Sequence, residues 1–170
     1  MSRLYLRNRQ RAVPLDGRFL RTLARAALAQ PEFARQNWAE LGIHLVGDRR
    51  MSALNARHLG HVGPTDVITF DYGTAPADGP APADGPAPGG RCGDLFIGVP
   101  EALRQARIFR TSWPAEVVRY LVHGLLHLSG YDDTSPAARR RMKRAENRLL
   151  RRLAARFDFA RLAAHPSPRA

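Results

Sequence analysis

The stretch "HGLLHLSGYDD", residues 123–133, holds two histidines four apart, His123 and His127, and an aspartate six residues further on, Asp133. On a helix, positions i and i+4 share one face a turn apart, so both imidazoles can approach a single ion. Gly130 is a natural stop for such a helix, and Tyr131-Asp132-Asp133 then fold a carboxylate back beside the two rings. Two His and one carboxylate leave a coordination position open, as a catalytic ion requires; structural zinc prefers four closed ligands. The same spacing also suits a core helix whose histidines are satisfied by hydrogen bonds, and the pair alone does not separate the two. A zinc peptidase helix reads H-E-x-x-H, with the Glu as general base. Gly124 stands at that Glu position, so the peptidase base is missing. Gly inside a helix costs about 1 kcal/mol relative to Ala, which points to a close approach by another element or a substrate.

The elements that must position these residues can be read from periodicity. "RLYLR" at 3–7 alternates as a short strand, and Asp16 caps a helix with Phe19, Leu20, Leu23, Ala27 and Leu28 on one face. "GIHLV" at 42–46 is a second strand, after which Asp48 starts a helix through about Asn55. "DVITF" at 66–70 and "DLFIG" at 94–98, rich in β-branched and aromatic residues, are strands. Between them lies "APADGPAPADGPAP", a repeated hexapeptide without large apolar side chains. Residues 73–91 are therefore expected to form a disordered loop insertion. "EALRQARIF" is helical, and a further helix begins near Ser112, with Pro114 and Glu116 in its first turn, and stops at Gly130. A last helix runs from about Ser135 to Phe157, with Met142, Ala145, Leu149 and Leu153 on its apolar face. Strands followed by helices predict a single α+β domain over 1–160, one small mixed sheet packed against a helical layer, with a flexible tail over 161–170.

Charge narrows the function. Lys plus Arg number 27 against 15 Asp plus Glu, a net charge of +12 in 170 residues, with a pI near 11.4. Arginine dominates the excess, and its planar fork suits phosphate. A polyanion, nucleic acid first, is the expected partner; arginine-rich coding is the bland alternative. The last helix carries nine Arg or Lys between 139 and 156 against one acid, Glu146. Arg140, Arg144 and Arg151 are its candidate phosphate contacts, the alternative being a solvated face. The lone Cys92 cannot form an internal disulfide, and no run approaches the 18 apolar residues of a membrane helix. "MSRLYLRNRQ" lacks the apolar core of a signal peptide. A cytoplasmic protein with no membrane partner is expected.

Taken together, these residues resemble the YbeY-type endoribonucleases, bacterial metal-dependent RNases of ribosome maturation. "HGLLHLSGYDD" is similar to the family's H-G-x-L-H-L-x-G-Y-D-H at every fixed position but the last. "LYLRNRQ" at 4–10, "LN" at 54–55, "PTDVITF" at 64–70, "GDLFIG" at 93–98 and "QA" at 105–106 resemble further family segments in the same order. The resemblance covers about residues 3–153. It implies a small α+β fold with its metal cleft at the motif helix, one Zn²⁺, and cleavage of single-stranded RNA rather than DNA. It also implies roles in 3′-end maturation of small-subunit ribosomal RNA and in late ribosome quality control. His123 and His127 match the first two ligands. Asp133 stands where the third, usually His, is found, and Asp132 matches the family's own Asp, expected to orient the turn or a ligand. Leu59 occupies the position of a family Arg, with Arg57, His58 and His61 as possible substitutes. A basic, ribosome-binding assembly protein with a non-catalytic metal site is the second reading.

Overall fold

The computed structural model describes residues 3–34, 36–74 and 90–163. Arg3–Asn8 forms strand β1, in which Leu4 and Leu6 pack into the core on alternate positions. Asp16 then caps helix α1, Gly17–Leu28, its Oδ1 accepting the backbone N–H of Arg18 at 2.8 Å and of Phe19 at 3.0 Å. The short helix α2, Pro31–Ala34, buries Phe33 and leads into β2, Trp38–Val46. β2 starts four residues earlier than its β-branched centre suggests, since Trp38 and Ala39 are buried as well. Helix α3, Asp48–Leu59, follows, longer than expected by the turn that ends at left-handed Gly60. Strands β3, Val67–Thr74, and β4, Arg91–Gly98, pair antiparallel. Gly73, Thr74 and Arg91, expected in the loop over 73–91, therefore belong to strands, while residues 75–89 lie outside the described residues.

The sheet order is β1-β2-β4-β3, with β1, β2 and β4 parallel and β3 antiparallel at one edge. Leu41, Ile43, Leu45, Leu95 and Ile97 point to one face and meet α1, helix α4 (Val99–Phe109), helix α5 (Trp113–Leu128) and helix α6 (Pro136–Ala154) in the main core. The opposite face is not bare. Met51 and Leu54 of α3 pack there against Val46 and Ile68, with Phe70 and Phe96 alongside. The expected helical layer is there, and α3 adds a partial second one, because Val46, Ile68, Phe70 and Phe96 make part of the outward sheet face apolar too.

α5 is the centre of the fold and is buried nearly all round. Gly124 shows why it lies so close to the sheet. A Cβ there would stand 2.1 Å from Leu95 Cδ2 and 3.0 Å from Val67 Cγ2. The close approach is that of the sheet. Beyond α6, Phe159–Ala163 form a 3-10 turn whose Leu162 is fully buried and whose backbone carbonyl at 162 accepts from Asp16 N at 3.0 Å. The packed chain thus continues past the expected tail boundary at 161, while 164–170 lie outside the described residues.

Candidate metal centre

α5 starts at an N-cap, Ser112, whose hydroxyl accepts from Ala115 N. It ends in a Schellman closure: Gly130, at φ 86°, donates its N–H to the His127 carbonyl at 2.9 Å, and Tyr131 donates to the Leu126 carbonyl at 3.0 Å. This closure reverses the chain just after the histidines. His123, His127 and Asp133 consequently each offer a ligand atom, all within 4.8 Å of one another. Asp132 points elsewhere. Its carboxylate accepts the Thr134 N–H at 3.0 Å and the Thr134 hydroxyl, and these bonds hold it below the usual carboxylate range. Arg139 Nε, on the first turn of α6, donates to the Asp133 backbone carbonyl at 3.2 Å and fixes the other side of the turn.

The histidine tautomers follow from what lies behind each ring. His123 Nδ1 is 3.0 Å from a Glu146 carboxylate oxygen, and His127 Nδ1 is 3.2 Å from the Tyr131 carbonyl. Both neighbours only accept, so each Nδ1 carries a proton, and in the neutral imidazole each Nε2 then presents a lone pair. The two Nε2 atoms face one another at 3.1 Å. Two lone pairs aimed at one point, beside a carboxylate, form a donor set that suits a divalent cation, and the backing acceptors match the outer partners of metal-bound imidazoles. The residues fit a metal ion.

Glu146, noted in the sequence only as the one acid of 139–156, is the residue behind His123. It is 3% exposed on the inner face of α6. Besides His123 it accepts from Arg119 Nη1 and Lys143 Nζ, each at 2.7 Å, while Arg119 also reaches Glu116 at 3.3 Å. Burial pushes its pKa up, but hydrogen bonds from His123, Lys143 and Arg119 outweigh burial and leave it at about 2. The sequence did carry a signal: the only acid among nine cations falls on the stripe of Met142, Ala145 and Leu149.

Other residues singled out from the sequence lie apart. Leu59, at the end of α3, is 51% exposed. His58 packs edge-on against Phe70, and Arg57 and His61 are exposed. Among the described residues, no hydrogen bond or ion pair joins any of these four to the histidines. Asn55 of the "LN" pair is buried and donates to the Gly63 carbonyl at 2.8 Å, tying α3 to the loop after it. On α6, Arg148 and Arg152 pair with Glu32, and Lys143 with Glu146. Arg140, Arg144 and Arg151 are exposed and have no such partner among the described residues.

Fold and site together make this an α+β domain with two histidines and a carboxylate at the end of its central helix, a donor set that could hold a divalent cation. Residues 5–154 match the family model described as Endoribonuclease YbeY, and the chain belongs to that family. Its similar relatives include the Endoribonuclease YbeY of Anaeromyxobacter sp. (strain Fw109-5), 45% identical over 134 residues, covering 79% of this chain and 63% of that protein. That of Myxococcus xanthus is 39% identical over 133 residues, or 78% of this chain, which thus spans only 42% of the relative's length. That of Moorella thermoacetica is 36% identical over 150 residues, covering 85% of this chain and 93% of the relative. The solution structure of a Thermotoga maritima protein shares the fold, with a TM-score of 0.54 at 20% identity, over 91% of this chain and 93% of its own. Among the described residues, no helix is long and apolar enough to cross a membrane.

Proposed function

We propose that this protein is a zinc-dependent endoribonuclease specific for single-stranded RNA, acting in 3′-end maturation of small-subunit ribosomal RNA and in late ribosome quality control in the cytoplasm. The observation that carries the reading is the convergence of His123 Nε2 and His127 Nε2, each imidazole backed by a pure acceptor, on one point beside Asp133. His123, His127 and Asp133 would hold one Zn²⁺. When bound, the ion supplies Lewis-acid polarisation of a phosphoryl oxygen and a nucleophile at neutral pH. Glu146 keeps His123 in the ligating tautomer, and the Tyr131 carbonyl does the same for His127. Asp132 holds the turn that carries Asp133. Arg140, Arg144 and Arg151, exposed and without an ion-pair partner among the described residues, offer their guanidinium groups to an RNA backbone. Family membership supports the substrate class, since the relatives are named endoribonucleases.

One observation favours the second reading, a ribosome-binding assembly protein with a non-catalytic metal. An exposed Leu59 replaces the Arg expected near the phosphate. Metal-depleted and zinc-restored protein, compared on single-stranded RNA, duplex RNA and DNA, separates the two. Cleavage of single-stranded RNA that returns with zinc is the expected result; tight RNA binding with no cleavage at any zinc level sinks the enzyme reading.

A further inference from the structure

The sheet face turned away from α5 carries a polar cluster that the metal centre does not use. Along β1 the leucines face the core, so Arg3, Tyr5 and Arg7 alternate onto the outer face. Across the sheet, Tyr5 is in register with Gly42 and then Asp94, and Arg7 with His44 and then Phe96. His44 Nε2 lies 3.1 Å from Asp94 Oδ1, the Tyr72 hydroxyl donates to Asp94 Oδ2 at 2.9 Å, and the His44 ring stacks on Phe96 at 4.5 Å and 11°. Gly42 makes this possible. A Cβ there would sit 1.9 Å from Asp94 Oδ1 and 2.9 Å from His44 Nε2. The missing side chain leaves a cleft of about 380 Å³ lined by Tyr5, Arg7, Glu40, Gly42, His44 and Asp94. α3 covers only the neighbouring apolar stretch, and Tyr5 and Tyr72 remain 43% and 61% exposed.

We propose that this face is a second RNA-binding surface, taking a short stretch of single-stranded RNA with a base stacked on Tyr5 and a phosphate at Arg7. The choice of polyanion rests on the RNA-processing reading above; the placement of the surface does not. Arginines flanking an exposed aromatic on one strand give stacking and charge together, the combination by which open sheets hold single strands. Arg7 is the cation of the cleft lining, and its carboxylates are Glu40 and an Asp94 already held by His44 and Tyr72, so the anionic group enters at the Arg7 end. With Asp94 already holding two donors, His44 Nδ1 and the Glu40 carboxylate are the polar groups left to meet base edges. The surface is separate from the metal centre: Leu95 packs under Gly124 of α5, while its neighbours Asp94 and Phe96 point to the other side.

The test uses the full chain and a fluorescein-labelled 12-nucleotide single-stranded RNA in anisotropy titrations, with His123→Ala as a second background in which the metal cluster is disabled. Tyr5→Ala and Arg7→Glu should each weaken binding roughly tenfold in both backgrounds, as loss of one stacked base does. Arg7→Lys should recover most of the loss, and thermal melts should match the parent. RNA carrying 4-thiouridine should crosslink to peptides containing Tyr5 or Tyr72. Unchanged affinities in folded variants, or crosslinks confined to α5 and α6, overturn the proposal, and a face that serves a protein instead gives that same result. Cleavage by the zinc-restored wild type is scored separately: binding and crosslinking without cleavage would end the endoribonuclease reading and leave this surface standing.

Discussion

With Asp133 as the third ligand proposed above, a carboxylate stands where the resembled H-G-x-L-H-L-x-G-Y-D-H pattern has its last His, and the exchange would lower the net charge of the loaded centre. Carboxylate oxygen and imidazole nitrogen bind zinc at similar distances, so the number of ligands need not alter. Asp133→Ala is expected to lose metal and activity, while Asp133→His retains zinc; elemental analysis of purified variants reads both. Asp132→Ala is the control and should keep its metal, because its carboxylate is spent on Thr134. The reverse pattern would show that the ligand is Asp132. Glu146 supplies a second test at this scale. Glu146→Gln preserves shape but removes the charge that holds His123, Arg119 and Lys143 together, and metal affinity should fall about 10- to 100-fold. Competition against a zinc indicator measures it, and an affinity equal to wild type would make Glu146 a purely structural acid.

Between elements, two contacts set how the helices lie. α5 rests on the sheet through Gly124, so Gly124→Ala gains helix propensity of about 1 kcal/mol yet must displace Leu95, which a Cβ would meet at 2.1 Å. Overpacking costs typically ~1–3 kcal/mol, so the melting temperature should drop, and Gly124→Val should drop it further; a rise for both would show that the sheet gives way freely. α2 is tied to α6 by Glu32, which meets Arg148 and Arg152, each at 3.1 Å. Burial pushes the Glu32 carboxyl up, but its backbone hydrogen bond and the two arginines outweigh burial and hold it below its ordinary value of 4.5. A carboxyl lowered in the folded state contributes stability in full above 4.5 and loses it as pH falls through the folded value. Glu32→Gln should therefore lower the melting temperature at pH 7 by more than at pH 3. The difference should be small, since exposed arginine pairs contribute about 1 kcal/mol or less. Equal losses at both pH values would exclude the ion pairs as the cause.

For the whole molecule the governing quantity is charge. Most of the +12 excess lies in 139–156, where nine cations meet one acid, and there the fold separates Arg148 and Arg152, which pair with Glu32, from Arg140, Arg144 and Arg151, which are exposed. If Arg140, Arg144 and Arg151 meet phosphates, RNA affinity should fall steeply with salt. Changing all three to Glu should flatten the log–log slope by about 0.7 per lost contact on single strands. Titrations between low and physiological salt decide this, and an unchanged slope returns the three to a solvated face. Arg148→Glu serves as the internal comparison, with a stability effect through Glu32 as its main expected consequence.

What the sequence determined by itself was local. Helical period, the caps at Asp16, Ser112 and Ser135 and the stop at Gly130 are interactions within one turn, so they are written in neighbouring residues. The approach of Asp133 to His123 and His127 belongs to the same class, because ten residues and one glycine turn span it. Period-two patterning likewise showed which residues share a face of a strand. It could not show which strand lies next to which, and only the fold set β4 between β2 and β3. The same holds for α3 on the outer face, for Glu32 bridging to α6 and for Leu162 entering the core. Glu146 is the instructive case: 23 residues separate it from His123, and its role depends on two helices packing side by side. A chain encodes the strength of each packing face locally, but the partner of each face is chosen only when all faces are buried at once.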